Sequence, residues 1–246
     1  MAGHSKWSNI KNKKGKTDAE RGKIFTKMGR QIAVAVKEGG SDPETNARLR
    51  DAIANAKAAN MPNDNITRSI KRASGELGNV TYEEITYEGY GPGGVAVIAQ
   101  VLTDNRNRTA GEMRYIFDRS EGSLGATGCV SWMFDRKGLI LIEDSEAIQE
   151  DELMMQALEA GAEDFNQEEE IFEILADPTD LSKVRQGLEE AGYTIASSEV
   201  AMIPQNYVEL IGEQYEQALA MFDKLEDHDD VQNVYFNLEM NDEEED

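Results

Sequence analysis

The chain has 246 residues, 39% of them hydrophobic, and a formal net charge of -23, which gives enough apolar material for a buried core and enough length for two or three compact domains. No run approaches the roughly 18 apolar residues of a membrane span, and no apolar signal segment follows the lysine-rich start, so a cytoplasmic protein without a membrane partner is expected. A single cysteine, Cys129, excludes an internal disulfide framework and a cysteine-based zinc cluster.

The first elements in chain order are helical. Lys6, Lys11, Lys13, Lys14 and Lys16, with Trp7 among them, form a basic arm without periodicity. "TDAE" at Thr17 to Glu20 reads as a capping box that starts a helix. Ile24, Met28, Ile32 and Ala35 or Val36 follow at spacings of three and four, leaving Arg21, Lys23, Lys27 and Arg30 largely on other faces until Gly39-Gly40 ends the run. "SDPE" is expected to open a second helix with Leu49, Ile53 and Ala56 inward, stopped at Met61-Pro62. A third helix buries Ile66, Ile70 and Ala73, exposes Arg68, Lys71 and Arg72, and ends at Gly75.

After Gly78 the pattern changes to strands. "TYEEITYEGY" and "GVAVIAQVLT" are rich in β-branched and aromatic residues and read as a hairpin. "GYGPGG" between them formally fits a dinucleotide fingerprint, but that fingerprint requires a helix directly after it and a strand follows instead, so a plain loop is expected. "TDNRNRTAGEMRYIFDRS" reads as a helix with Met113, Ile116 and Phe117 on one face, and "CVSWMF" as a buried strand carrying Cys129 as a core residue. From Lys137 onward the order is strand 139–143, helix 146–160, strands near 163–166 and 171–176, helix 178–191 and strand 194–203, a βαββαβ or ferredoxin-like unit. A last helix near 215–225 and the strand "VQNVYF" have no partner there, and the economical solution returns them to the sheet begun at Tyr82.

The fold class expected is therefore α+β in three domains. These are a basic helical domain over 1–76 with its flexible arm 1–16, a discontinuous α+β domain over 77–135 plus 205–246, and an inserted ferredoxin-like domain over 136–204. The tail "NDEEED" is expected to be disordered.

The charge is segregated. Residues 1–75 hold 16 Lys and Arg against 7 Asp and Glu, a net of +9, and the remainder holds 9 against 41, a net of -32. Cations on an arm with a stackable tryptophan suit a phosphate backbone. Arg106 and Arg108, at a strand-to-helix junction inside the acidic part, read either as a second phosphate contact or as internal salt bridges. "EDHDD" at 226–230 offers carboxylates and an imidazole at consecutive positions that are not expected to converge on one ion. No catalytic residue, metal site or cofactor is expected, and no small-molecule substrate. Either the arm and helical head meet nucleic acid directly, or the arm rests on the protein's own acidic body until a polyanion displaces it.

Taken together, "MAGHSKWSNIK", "RGKIFTK", "NMPNDNITRSIKR", "YEGYGPGG", "TDNRNRTAGEMR" and "LEDHDDVQNVYFN" resemble the YebC/PmpR family over essentially the whole chain. The resemblance implies a three-domain, non-enzymatic regulator of the DNA-binding transcriptional type. Other members are tied to the ribosome and translation, and mitochondrial relatives activate translation of cytochrome oxidase subunit I. DNA, or alternatively ribosomal RNA, is accordingly the expected partner.

Overall fold

The computed structural model describes residues 18–75, 81–145, 147–168 and 170–240. The basic arm, Thr17 of the capping box and the "NDEEED" tail lie outside the described residues. The protein is a mixed α+β chain with seven α-helices and two antiparallel four-stranded sheets among the described residues, and it divides into two compact units.

One unit is built from residues 16–133 and 207–238. Helices α1 (Asp18–Gly39), α2 (Ala47–Ala58) and α3 (Asn63–Ala73) enclose a core of Ile32, Ala35, Val36, Leu49, Ala56, Ile66 and Ala73. The second helix starts later than "SDPE" suggests, because Asp42 to Thr45 close a turn and Asn46 is the cap. The Asn46 Oδ1 accepts from the Leu49 amide at 3.0 Å, while its Nδ2 donates to the carbonyls of Ala35 and Gly40 at 2.7 and 2.8 Å, so one amide ties two helix ends together.

In the same unit β1 (Glu83–Tyr90) and β2 (Ala96–Thr103) pair in the register Glu83 to Thr103, and the connecting 92–94 turn is followed directly by strand. The closing strand β8 (Val231–Phe236) pairs with β2, and the two-residue strand β3 (Ser123–Leu124) pairs with β1, giving the order β3-β1-β2-β8. Gly89 has to be glycine, since a Cβ there would overlap the Ser123 carbonyl oxygen. Helices α4 (Arg106–Arg119) and α7 (Glu213–Glu226) bury Met113 and Phe117, and Met221 and Phe222, against this sheet, with Phe222 stacked on Phe236 at 3.8 Å.

The expected strand "CVSWMF" is not one. Residues 125–133 form turns ending in a 3-10 turn, Ser131–Met133, and strand begins only at Phe134. Glu88 is the cause: its buried carboxylate accepts from the amides of Gly128, Val130 and Ser131 at 2.8, 3.0 and 2.8 Å, which curls the loop around it. Cys129 is consequently half-buried in a turn, and Trp132 is 68% exposed, its indole N–H donating to the Cys129 carbonyl.

The other unit is built on residues 134–206. It runs β4 (Phe134–Glu143), α5 (Glu150–Ala160), β5 (Asp164–Glu168), β6 (Ile171–Ala176), α6 (Leu181–Glu190) and β7 (Ser197–Pro204), with sheet order β5-β6-β4-β7. Both helices start later than their apolar periodicity suggests, because Ser145 to Ile148 and Asp177 to Asp180 are closed turns. Leu153, Ala157, Val184 and Leu188 pack on Ile140, Ile142, Phe172 and Ile174.

Candidate nucleic-acid interface

Among the described residues, the candidate basic side chains of the helical head differ in their surroundings. Lys6, Trp7, Lys11, Lys13, Lys14 and Lys16 lie outside the described residues. Arg21 is exposed on the first turns of α1. Arg68, Lys71 and Arg72 project from α3 at spacings of three and one, opposite the buried Ile66 and Ala73. All three are exposed and have no ion-pair partner among the described residues.

Lys23, Lys27 and Arg30 are engaged instead. Spaced by four and three, they share one face of α1, and that face meets the turn at the end of α7. Lys23 Nζ lies 3.4 Å from Asp227 Oδ1, Lys27 donates to the Glu226 carbonyl, and Arg30 donates to the Asp229 carbonyl and to Asp230 Oδ1, both at 2.6 Å. Arg30 also donates to the Leu102 carbonyl at 3.1 Å and sits 5.5 Å from the Tyr82 ring centre.

Asp230 is the centre of this arrangement. Its side chain is 2% exposed. Oδ2 accepts from Arg108 and from the Thr109 hydroxyl, each at 2.6 Å, and its backbone carbonyl accepts from Leu102 at 2.8 Å. Burial alone would push this carboxyl up. The hydrogen bonds from Thr109, Arg108 and Arg30, with the Arg30 charge, outweigh it and hold the group at about 2. Sequence reasoning missed Asp230 as a ligand of arginines, since only contact between residues 200 apart reveals it.

Both arginines read as candidate phosphate contacts carry internal ion pairs. Arg106 reaches Glu83 at 3.0 Å with both side chains more than half exposed, a weak and exchangeable pair. Arg108 reaches Asp104 at 3.2 Å, Glu112 at 3.7 Å and Asp230 at 2.6 Å. The Asn105 side chain caps α4 by accepting from the Arg108 amide, so the helix start expected to be open to an anion has its own cap.

Part of "EDHDD" does come together. Ligand atoms of Glu112, His228 and Asp230 lie within 4.8 Å of one another. The donor set does not suit a cation: both Asp230 oxygens accept from guanidinium groups, and His228 Nδ1 accepts from the Asp230 amide at 3.1 Å. The imidazole hydrogen is therefore on Nε2, which donates to Glu112 at 2.9 Å. The Cys129 thiol is pushed up by burial and by the nearby Glu88 charge, which keeps it protonated and poorly nucleophilic.

The family model described as the TACO1/YebC protein N-terminal domain matches residues 5–76, and that for the TACO1/YebC second and third domain matches residues 82–238. The chain belongs to the TACO1/YebC family. Its TACO1/YebC relatives include a protein from Acetivibrio thermocellus named a probable transcriptional regulatory protein, 61% identical over 96% of this chain and 98% of that one. A protein of the same description from Caldanaerobacter subterraneus subsp. tengcongensis is 57% identical over 99% of this chain and 100% of that one. The crystal structure of a conserved hypothetical protein from Aquifex aeolicus superposes with a TM-score of 0.86 at 45% identity, covering 94% of this chain and 95% of that one. Among the described residues no helix is long and apolar enough to cross a membrane.

Proposed function

We propose that this TACO1/YebC chain is a non-enzymatic transcriptional regulator that binds DNA through its basic N-terminal residues. The observation that carries the reading is the charge segregation, +9 over residues 1–75 against -32 over the rest, because phosphate neutralisation follows the cations that reach the backbone. The names of the relatives support a regulatory role.

The interface proposed comprises the arm residues Lys6, Trp7, Lys11, Lys13, Lys14 and Lys16 together with the exposed Arg68, Lys71 and Arg72 of α3. Arg21 and Arg106, both exposed, are included as further contacts. Lys23, Lys27, Arg30 and Arg108 join it only if their internal partners are released. The proposed partition remains three domains, 1–76, 77–135 with 205–246, and a ferredoxin-like 136–204, and the βαββαβ element order supports the last.

Nucleic acid that accompanies the protein through purification at low salt tests the reading. Chromosomal DNA enriched in particular promoter fragments supports it. Ribosomal RNA in proportion to ribosomes would overturn the transcriptional reading in favour of a translation factor, and recovery of neither would overturn nucleic-acid binding itself.

A further inference from the structure

We propose that the turn closing the last helix, residues 226–230, is a built-in competitor for nucleic acid that occupies the basic face of α1 until a polyanion displaces it. This rests on the nucleic-acid reading above and adds the regulation of that interface. The three cations of the α1 face, Lys23, Lys27 and Arg30, each meet an acceptor in these five residues: the Asp227 carboxylate, the Glu226 carbonyl, and the Asp229 carbonyl with the Asp230 carboxylate. Main-chain carbonyls at a helix C-terminus carry the negative end of the helix dipole, and Glu226 is the last residue of α7. Carboxylates and carbonyls thus line up along the helix as a row of phosphate oxygens would.

The contact is graded in strength. At its outer end the Lys23 and Asp227 side chains are 44% and 70% exposed, and such a pair exchanges readily with solvent ions. At its inner end Arg30 and Asp230 are 14% and 2% exposed and held by several hydrogen bonds. Arg68, Lys71 and Arg72 are open throughout. A polyanion therefore docks first on α3 without releasing anything, then displaces the turn from its outer end, Lys23 before Lys27 before Arg30. The acidic body in this scheme sets a threshold that short or weakly charged ligands do not pass.

Carbodiimide, which joins ion-paired amines and carboxylates into an amide, reads the contact directly in the full chain. A Lys23 to Asp227 cross-link is expected in the free protein by peptide mass spectrometry, and its yield should fall severalfold on saturation with duplex DNA. Asp227→Asn should tighten DNA binding about two- to fivefold, the range for an exposed pair. Asp223→Asn, which removes the same charge from an exposed α7 position with no ion pair among the described residues, should change it by less than about 1.5-fold. Cross-linking that persists in the bound complex, or equal gains from the two variants, would overturn the competition while leaving DNA binding intact. Absence of DNA binding by the native chain would overturn the interface reading and this inference with it.

Discussion

Replacing Asp230 with Asn tests whether the buried carboxylate holds the helical head against the sheet. Asn keeps one acceptor oxygen but turns an amide donor towards guanidinium groups that are themselves donors only. In the native protein the carboxylate accepts from Arg30, Arg108 and Thr109 at 2.6 Å each. Hydrogen bonds to a charged group contribute roughly 1.5–3 kcal/mol apiece, and removing one partner of a buried pair costs about 3–5 kcal/mol. The depression of the Asp230 carboxyl to about 2 is worth about 2 kcal/mol on its own. A loss of about 2–4 kcal/mol at neutral pH follows, or a Tm lower by about 5–12 °C for a unit of this size. Because the folded-state value is depressed, the stabilisation is fully present above the ordinary carboxylate range near 4 and is lost as pH falls from about 4 to about 2. Urea unfolding followed by far-UV circular dichroism should give a gap between native and variant chains that is constant near neutrality and narrows below about pH 4. A gap under about 0.5 kcal/mol at neutral pH, or one that does not narrow in acid, would mean that the ionised Asp230 carboxylate does not hold the helical head in place.

Glu88→Gln should destabilise by about 1–3 kcal/mol, because one of two acceptor oxygens facing three amides becomes a donor. Burial pushes the Glu88 carboxyl up, but those amides outweigh it and hold the group low, so the deficit should shrink on acidification, and altered Trp132 emission should report the loosened loop. Gly89→Ala should unfold much of the protein, since its Cβ runs into the β3 backbone, whereas Gly111→Ala, within α4 and with nothing within 4 Å, should stabilise by about 0.5–1 kcal/mol in thermal melts. Residues 134–206, which contain every strand of their sheet and both of its helices, should fold cooperatively when produced alone; a disordered far-UV spectrum would contradict that.

The apolar spacing of α1 and α3 and the β-branched runs of β1 and β2 are legible because burial dictates which residues sit inward at periods of 3.6 and 2. Helix starts are illegible wherever polar turns precede them, as at Asp42 to Asn46, since a proline and an acidic residue signal a start without locating the cap. "CVSWMF" misleads for a different reason: it is an apolar run, but a buried glutamate 42 and 43 positions before Val130 and Ser131 claims their amides. The basic residues are legible as a set. Their division into exposed and engaged groups is not, because Asp230 lies 200 residues from Arg30 and nothing in "EDHDD" distinguishes a guanidinium ligand from a solvated helix end.

The salt dependence of duplex DNA binding, compared for the full chain, a chain lacking residues 1–16 and the triple variant Arg68→Gln/Lys71→Gln/Arg72→Gln, tests the assignment of the interface most directly. The log-log slope should be steep for the full chain, and smaller by up to about four to five without the arm and by up to about three in the triple variant, close to one for each phosphate that is no longer neutralised. Unchanged affinity and slope in both altered proteins would move the binding surface off the basic head.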